Sequence, residues 1–197
     1  MSPRLSRAEQ VERNRAVLLD AARDVFLEAG YVGATVDAIA ERAGFSTGVV
    51  YSQFGGKPDL FLALIERRIE ERAAEHERAV EGLSGPAVIH ALVNTSVADM
   101  RQHPGWTRVL IEFRALAARD PDLNKRYATL HEMTVQRLAG AMARSSGSKK
   151  RADLTTYAEL FLALGTGLAL ERAANPDAVP DGEALRALCR MFGIVAP

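Results

Sequence analysis

The stretch Ala43–Lys57, AGFSTGVVYSQFGGK, decides how the N-terminal part of this chain folds. Gly44 and the pair Gly55-Gly56 bracket a segment that fits one short helix, because glycine interrupts helices and takes left-handed turns easily. Just upstream, residues 35–42 (TVDAIAER) predict another short helix, with Thr35 as its N-cap. Two short helices joined by a turn with glycine predict a helix-turn-helix, the motif whose second helix enters the major groove of DNA.

The spacing of apolar residues predicts which side of this second helix is buried. Val50 and Phe54 lie four residues apart and are expected to point into a three-helix core. The remaining residues of the helix are then wholly or partly exposed: Thr47, Gly48, Val49, Tyr51, Ser52 and Gln53.

The flanking sequence predicts helices on both sides of the motif. Residues 1–11 are polar and are expected to form an arm, followed by a first helix over residues 11–29 with Gly30 as a left-handed cap. A fourth helix is expected to begin at Lys57, and its densely charged part, residues 66–81, is interpreted as a solvated face with local ion pairs.

The rest of the chain also alternates between helical segments and breaks. The clearest break is residues 82–86, GLSGP. Including the segments that follow it, we expect an all-α protein with about nine helices. The later helices are predicted at residues 87–101, 106–119, 120–144, 154–174 and 183–192.

Composition limits the class of protein. The 197 residues are 48% hydrophobic and contain the single cysteine Cys189, which excludes an internal disulfide framework. Neither a secretory signal nor an apolar run that would span a bilayer is evident, so no membrane association and a cytoplasmic location are expected. The formal net charge of +0 counts against nucleic-acid binding unless the positive charge is sorted onto one face. A cluster near the N-terminus offers such a face: Arg4, Arg7, Arg13 and Arg15.

A series of residues in fixed order carries a resemblance to a known family. It comprises Leu19-Asp20-Ala21-Ala22-Arg23-Asp24-Val25-Phe26, Gly30-Tyr31, Ala34-Thr35-Val36, Ile39-Ala40, Ala43-Gly44-Phe45-Ser46, Gly48, Tyr51, Phe54, Lys57 and Leu60. With them, residues 15–60 resemble the DNA-binding domain of the TetR family of transcriptional regulators. The resemblance implies a DNA-binding domain at residues 1–60, with its arm at 1–11, and a helical ligand-binding and dimerisation domain at 61–197.

The resemblance also implies which residues contact an operator. Gly48 would let the helix approach DNA closely, while Tyr51 and Lys57 would contact phosphates. Two alternatives remain: Tyr51 closes the small core, or Lys57 is a solvated lysine, although a cation is unfavourable at a helix N-terminus. The predicted DNA-binding residues are Thr35, Ser46, Thr47, Gly48, Val49, Tyr51, Ser52 and Lys57.

For the second domain, the resemblance implies a small-molecule effector and a homodimer. Large side chains in the middle helices could line an effector pocket or form core: Met100, His103, Trp106, Phe113, Arg114, Tyr127 and His131. The strongly apolar residues 160–170 could form a central core helix, but we expect one face to pack against a second subunit. The predicted dimer interface comprises Phe161, Leu164, Gly165, Leu168, Leu185, Leu188 and Met191.

Other classes of function are disfavoured by the motifs. The four histidines, His76, His90, His103 and His131, lack the spacing of a metal-ligand motif, and neither a nucleophile elbow, a Walker loop nor a dinucleotide fingerprint occurs. We therefore expect no enzyme, metal or cofactor. The prediction is a repressor that a ligand releases from a near-palindromic operator; the alternatives are a transcriptional activator and a helical protein-interaction adaptor.

Overall fold

The computed structural model describes residues 6–144 and 151–175, with a few separate positions between 177 and 190. Over these residues the chain is all-α, as predicted. The helices are α1 (Arg7–Gly33), α2 (Val36–Ala43), α3 (Thr47–Phe54), α4 (Lys57–Val80), α5 (Pro86–Gln102), α6 (Pro104–Ala117), α7 (Pro121–Ala143) and α8 (Arg151–Ala174). The predicted last helix, residues 183–192, lies largely outside the described residues, as does most of the predicted loop at 145–151.

Helix α1 is longer than the sequence predicted at both ends. Ser6 and Glu9 form a capping box, in which the Ser6 hydroxyl accepts from the Glu9 amide and the Glu9 carboxylate accepts from the Ser6 amide. The prediction of an arm over residues 1–11 was therefore wrong for residues 7–11, which are helical. At the other end, Gly30 has the positive φ (74°) of a left-handed cap but a ψ of 172°, and one more turn of helix follows it, so the cap of α1 is Ala34 and not Gly30 as predicted.

The helix-turn-helix forms where the sequence predicted it. The Thr35 hydroxyl caps α2 by accepting from the Ala38 amide at 3.1 Å, and Gly44 ends the helix with φ 73°. Ser46 occupies the N-cap position of α3, and Gly55 ends that helix. Val50 and Phe54 are buried, which confirms the predicted inward face of α3.

The described chain divides into two compact units. The first unit comprises residues up to Arg67 together with Val109–Asn124. Its core contains a cluster of four aromatic rings, with centroids 4.8–5.7 Å apart between neighbours. The cluster contains Phe26, Tyr31, Phe61 and Phe113. Such offset and edge-to-face contacts add to the burial of large apolar surfaces, so this cluster contributes strongly to the stability of the first unit.

The second unit comprises Arg68–Arg108 and the residues from Lys125 onward. Its core is built from aliphatic side chains of α4, α5, α7 and α8, such as Val80, Leu92 and Met142. Phe161 of α8 belongs to this core and is buried within the single chain. Within the described ranges, no helix combines the length and the apolar character that crossing a bilayer requires.

Candidate functional site

The predicted DNA-reading helix α3 presents a continuous accessible face. Tyr51 is 55% exposed, and Gly48 and Ser52 are also exposed, while Thr47 and Val49 are half-buried. The Ser52 hydroxyl donates to the Val49 carbonyl at 2.9 Å, which holds its oxygen against the helix. The high exposure of Tyr51 favours the surface interpretation of this residue over the alternative that it closes the core.

Gly48 leaves open space beside α3. A Cβ atom built at this position would meet only the Ser46 Oγ, at 3.7 Å, which is an ordinary van der Waals distance. The fold of the chain therefore does not require glycine at this position. A glycine at such a position leaves room for another molecule to approach the helix closely, and the packing of the chain itself does not need it.

Two contacts of α1 hold the motif in place. Arg42 of α2 donates to both carboxylate oxygens of Glu28, at 3.0 and 2.8 Å, in a bidentate pair. The Arg15 guanidinium lies 4.5 Å from the ring centroid of Phe54 at the end of α3. Arg15, which the sequence placed in a cationic cluster, thus packs against the motif; Arg7 and Arg13 are exposed, and Arg4 lies outside the described residues.

Lys57, the predicted phosphate ligand, has hydrogen-bond acceptors within its own chain. Its Nζ donates to the carbonyl oxygens of Tyr31, Val32 and Ala34 at 2.8, 3.3 and 2.9 Å, and lies 4.7 Å from the Tyr31 ring centroid. Burial lowers the pKa of Lys57 below its ordinary value. The cation at the start of α4 is therefore stabilised by carbonyl oxygens of its own chain, a solution that the sequence did not reveal.

A second group of polar residues lies in the second unit, between α4 and α5. We call Arg68, Arg72, His76, Asp99 and His103 the α4–α5 polar cluster. The Asp99 carboxylate accepts from Arg68 and lies 2.9 Å from the Nδ1 of His103. Arg68, Arg72 and Asp99 side chains are only 14%, 16% and 18% exposed. The prediction of a solvated face was thus wrong for these two arginines, because Asp99 of α5 lies against both. The predicted local ion pairs do occur, since Arg72 also pairs with Glu75, three residues further along α4.

The pKa values in the cluster reflect burial and the two guanidinium groups. Burial opposes ionisation of Asp99, but hydrogen bonding to Arg68 and the charges of Arg72 and Arg68 outweigh it, so the pKa of Asp99 is lowered. Burial, with repulsion from Arg72, lowers the pKa of His76 to about 4. Arg72 donates to the His76 Nε2 at 2.9 Å, which fits a neutral imidazole.

His76 predicts a loss of stability in mild acid. Its pKa is lower in the folded chain than the ordinary value near 6.5, so the unfolded state binds the proton more readily and stability falls as the pH drops through about 6.5. Between about pH 7.5 and pH 5 this group should cost about 2 kcal/mol of unfolding free energy. Denaturant unfolding at the two pH values measures the loss. His76→Gln keeps an acceptor for Arg72, and its loss of unfolding free energy between the two pH values should be about 2 kcal/mol smaller. Equal losses in the original chain and in the variant would show that His76 is not the group responsible.

The predicted effector residues divide between the two units. Met100, His103 and Trp106 fall in the second unit, where the Arg68 guanidinium lies 5.5 Å from the Trp106 ring centroid. Tyr127 is buried in the same unit, and its ring stacks on His131 with centroids 6.0 Å apart. In the first unit, Phe113 belongs to the aromatic core and Arg114 is exposed. Among the described side chains, no group of three or more histidine, cysteine, aspartate or glutamate residues could hold a metal ion.

The predicted dimer residues are only partly on one surface. Phe161 was assigned to that surface, but its burial in the core of its own chain leaves it no free face. Leu164 is exposed, Gly165 and Leu168 are half-buried, and Leu160 and Gly167 extend the same accessible strip of α8. Leu185, Leu188 and Met191 lie outside the described residues.

A compact N-terminal helical unit with an exposed second helix of a helix-turn-helix defines a DNA-binding regulator. Comparison with known families agrees with this class. Residues 18–64 match the model of the bacterial regulatory proteins of the tetR family, and residues 87–192 match that of the BetI-type transcriptional repressor C-terminal domain. The chain belongs to the TetR family of transcriptional regulators.

Individual relatives are similar over different lengths. The transcriptional regulator UidR of Escherichia coli is 26% identical over 136 residues, 67% of this chain and 68% of UidR. The transcriptional activator FasR of Mycolicibacterium smegmatis is 43% identical over 59 residues, but this match spans only 30% of this chain and 27% of FasR. The crystal structure of the regulator FadR from Bacillus subtilis, in complex with stearoyl-CoA, shares the fold with a TM-score of 0.71 and 15% identity, covering 90% of this chain and 96% of FadR.

Proposed function

We propose that this regulator is a repressor that binds a near-palindromic operator as a homodimer and is released by a small-molecule effector. The match of residues 87–192 to a repressor-type C-terminal domain supports repression over activation. FasR, which is named an activator, supports the alternative over 59 residues only. For an effector to release DNA, it must bind better to the form of the protein that cannot bind DNA.

The exposed face of α3, with the start of α2, is the proposed operator contact. Gly48 allows close approach, Val49 can contact a thymine methyl group, and Tyr51 can bind a phosphate. The Thr35 hydroxyl oxygen accepts a hydrogen bond from the Ala38 amide, and its hydrogen can be donated to a phosphate. Ser46, Thr47 and Ser52 complete the set.

The exposed strip of α8 is the proposed subunit contact. Leu160, Leu164 and Leu168 follow one another at four-residue spacing, and Gly167 lies three residues after Leu164. Accessible apolar strips of this kind mark contact surfaces. We include Gly165, and the last segment with Leu185, Leu188 and Met191. A two-fold dimer would place two α3 helices about 34–36 Å apart, or a multiple of that distance, on successive major grooves.

The proposed effector site lies in the second unit. The Arg68–Trp106 contact and the Tyr127–His131 stack bring polar groups next to large aromatic surfaces, as small-molecule pockets require. Met100 and His103 complete this site. Phe113 and Arg114, the other two predicted effector residues, belong to the first unit.

Gly48 provides the sharpest test of DNA binding. Gly48→Ala adds a methyl group to open space, and alanine favours helix by about 0.5–1 kcal/mol, so the variant should be at least as stable as the original chain. If α3 enters the groove, however, the methyl group should weaken operator binding by roughly tenfold or more, a cost of about 1.4 kcal/mol. Gel shifts and fluorescence anisotropy with the DNA flanking the gene, in excess competitor DNA, measure the affinity.

A matched control isolates the effect of position. Gly140→Ala makes the same change on an exposed helical glycine of α7, in the second unit, where the new methyl group also meets open space. It should leave DNA affinity unchanged. If both variants bind DNA as the original chain does, α3 is not the reading helix. If the original chain fails to bind selected operator DNA at all, the adaptor alternative is favoured. If it does bind, a reporter gene placed behind the operator separates repression, which lowers expression, from activation, which raises it.

A further inference from the structure

The turn at residues 30–34 exposes backbone groups that the helix itself cannot satisfy. Gly30 has φ 74°, outside the helical range, so the chain bends before α1 ends. The Ala34 amide still donates to the Gly30 carbonyl at 3.2 Å, but the carbonyls of Tyr31, Val32 and Ala34 and the amide of Val32 need other partners. Thr35, the N-cap of α2, follows directly, so this turn sets where α2 begins.

Lys57 supplies the donors for this turn. An ammonium group has three hydrogens, and those of Lys57 face three carbonyl oxygens, at 2.8, 3.3 and 2.9 Å. A phosphate contact would require Lys57 to give up one of these bonds.

Glu112 of α6 supplies the acceptor. Its Oε2 accepts from the Val32 amide at 3.3 Å. A Cβ at position 30 would lie 2.7 Å from this oxygen and 2.9 Å from Oε1, so the carboxylate lies in the space that only glycine leaves free. Glu112 belongs to the stretch Val109–Asn124, which is part of the first unit.

We propose that Lys57 and Glu112 form a clamp on the turn at residues 30–34 and act as positioning residues for DNA binding. Together they satisfy both the carbonyl and the amide side of one short turn, from two different helices. The clamp fixes the start of α2 and hence the helix-turn-helix. Lys57 therefore strengthens operator binding through the fold of the motif, without touching a phosphate. This inference rests on operator binding by α3, but its first test needs no DNA.

The first test is hydrogen exchange of the DNA-free protein. Lys57→Met removes the ammonium group while keeping an unbranched side chain, and Glu112→Ala removes the acceptor. In both variants the amides of residues 32–39 should exchange at least about tenfold faster, since each change removes a hydrogen-bonding partner of this turn. Lys57→Arg keeps a donor and Glu112→Gln keeps an acceptor. The amides of residues 32–39 should therefore exchange more slowly in these variants than in Lys57→Met and Glu112→Ala, respectively. Thermal unfolding identifies any variant that has lost the whole fold. In that case hydrogen exchange is compared between the original chain and the conservative variants Lys57→Arg and Glu112→Gln.

The second test is the salt dependence of operator binding. A positioning role predicts that Lys57→Met weakens binding by roughly tenfold at each salt concentration, with an unchanged slope of log K against log salt. Loss of a phosphate contact would instead reduce the slope by about 0.9 per contact, or about 1.8 for two subunits. A reduced slope overturns the inference, and so does unchanged hydrogen exchange in both Lys57→Met and Glu112→Ala. Failure of the original chain to bind any operator would overturn the proposed function instead, while the exchange result would still test the clamp.

Discussion

Replacing Phe61 by alanine should lower the free energy of unfolding by about 3–5 kcal/mol. Phe61 is fully buried in the first unit and contacts three other rings, those of Phe26, Tyr31 and Phe113. Alanine would remove the transfer free energy of the ring and leave a cavity, which rigid aromatic neighbours fill poorly. Such a cost is a large fraction of the total stability of an ordinary domain, about 5–15 kcal/mol.

Denaturant unfolding followed by circular dichroism, at one fixed protein concentration, measures this cost. Leu116→Ala is the control, because Leu116 is another large apolar residue of the first unit but is 42% exposed. It should change stability by less than about 0.5–1 kcal/mol. If Phe61→Ala costs no more than Leu116→Ala, the aromatic cluster is not the core of the unit.

Replacing Asp99 by alanine should cost about 2–4 kcal/mol. The carboxylate accepts from Arg68 and lies 3.8 Å from the Nε of Arg72, and both guanidinium groups are largely buried. Without Asp99, Arg68 loses its carboxylate partner in the second unit, and Arg72 keeps only its ion pair with Glu75 on its own helix. The cost arises mainly from leaving the largely buried Arg68 guanidinium without a carboxylate, so Arg68→Met combined with Asp99→Ala should recover part of it.

An exposed ion pair provides the control for this prediction. Glu70 of α4 pairs with Arg137, but their side chains are 54% and 40% exposed. Glu70→Ala should cost about 0–1 kcal/mol, because water screens and solvates such pairs. Equal losses for Asp99→Ala and Glu70→Ala in the same unfolding experiment would show that the α4–α5 polar cluster is as well solvated as the surface.

The sequence predicted the helix-turn-helix closely because local rules specify it. Thr35 can cap a helix through its own hydroxyl, Gly44 and Gly55 can take left-handed backbone, and Val50 and Phe54 share one face through the helical period alone. Exposure of Tyr51 and Gly48 follows from the same period. None of these features depends on a distant part of the chain.

The sequence did not predict the contacts that residues make with distant parts of the chain. Lys57 has carbonyl acceptors more than twenty positions upstream, and Arg68 has its carboxylate partner on the next helix. Phe161 fits a surface strip by spacing, but the packing of α5, α7 and α8 buries it. Glu112 was missed entirely, because nothing in its neighbourhood distinguishes it from other charged residues on helices.

The sequence by itself determined the all-α class, the positions of the helix-turn-helix and its exposed face, because helical period, caps and glycine breaks act over a few residues. Only the tertiary structure decided which charges are partnered and which apolar residues form the core. The aromatic cluster joins α1, α4 and α6, and the turn at residues 30–34 has its partners on α4 and α6. Burial and hydrogen-bond pairing depend on which segments meet in space, and chain spacing does not encode that.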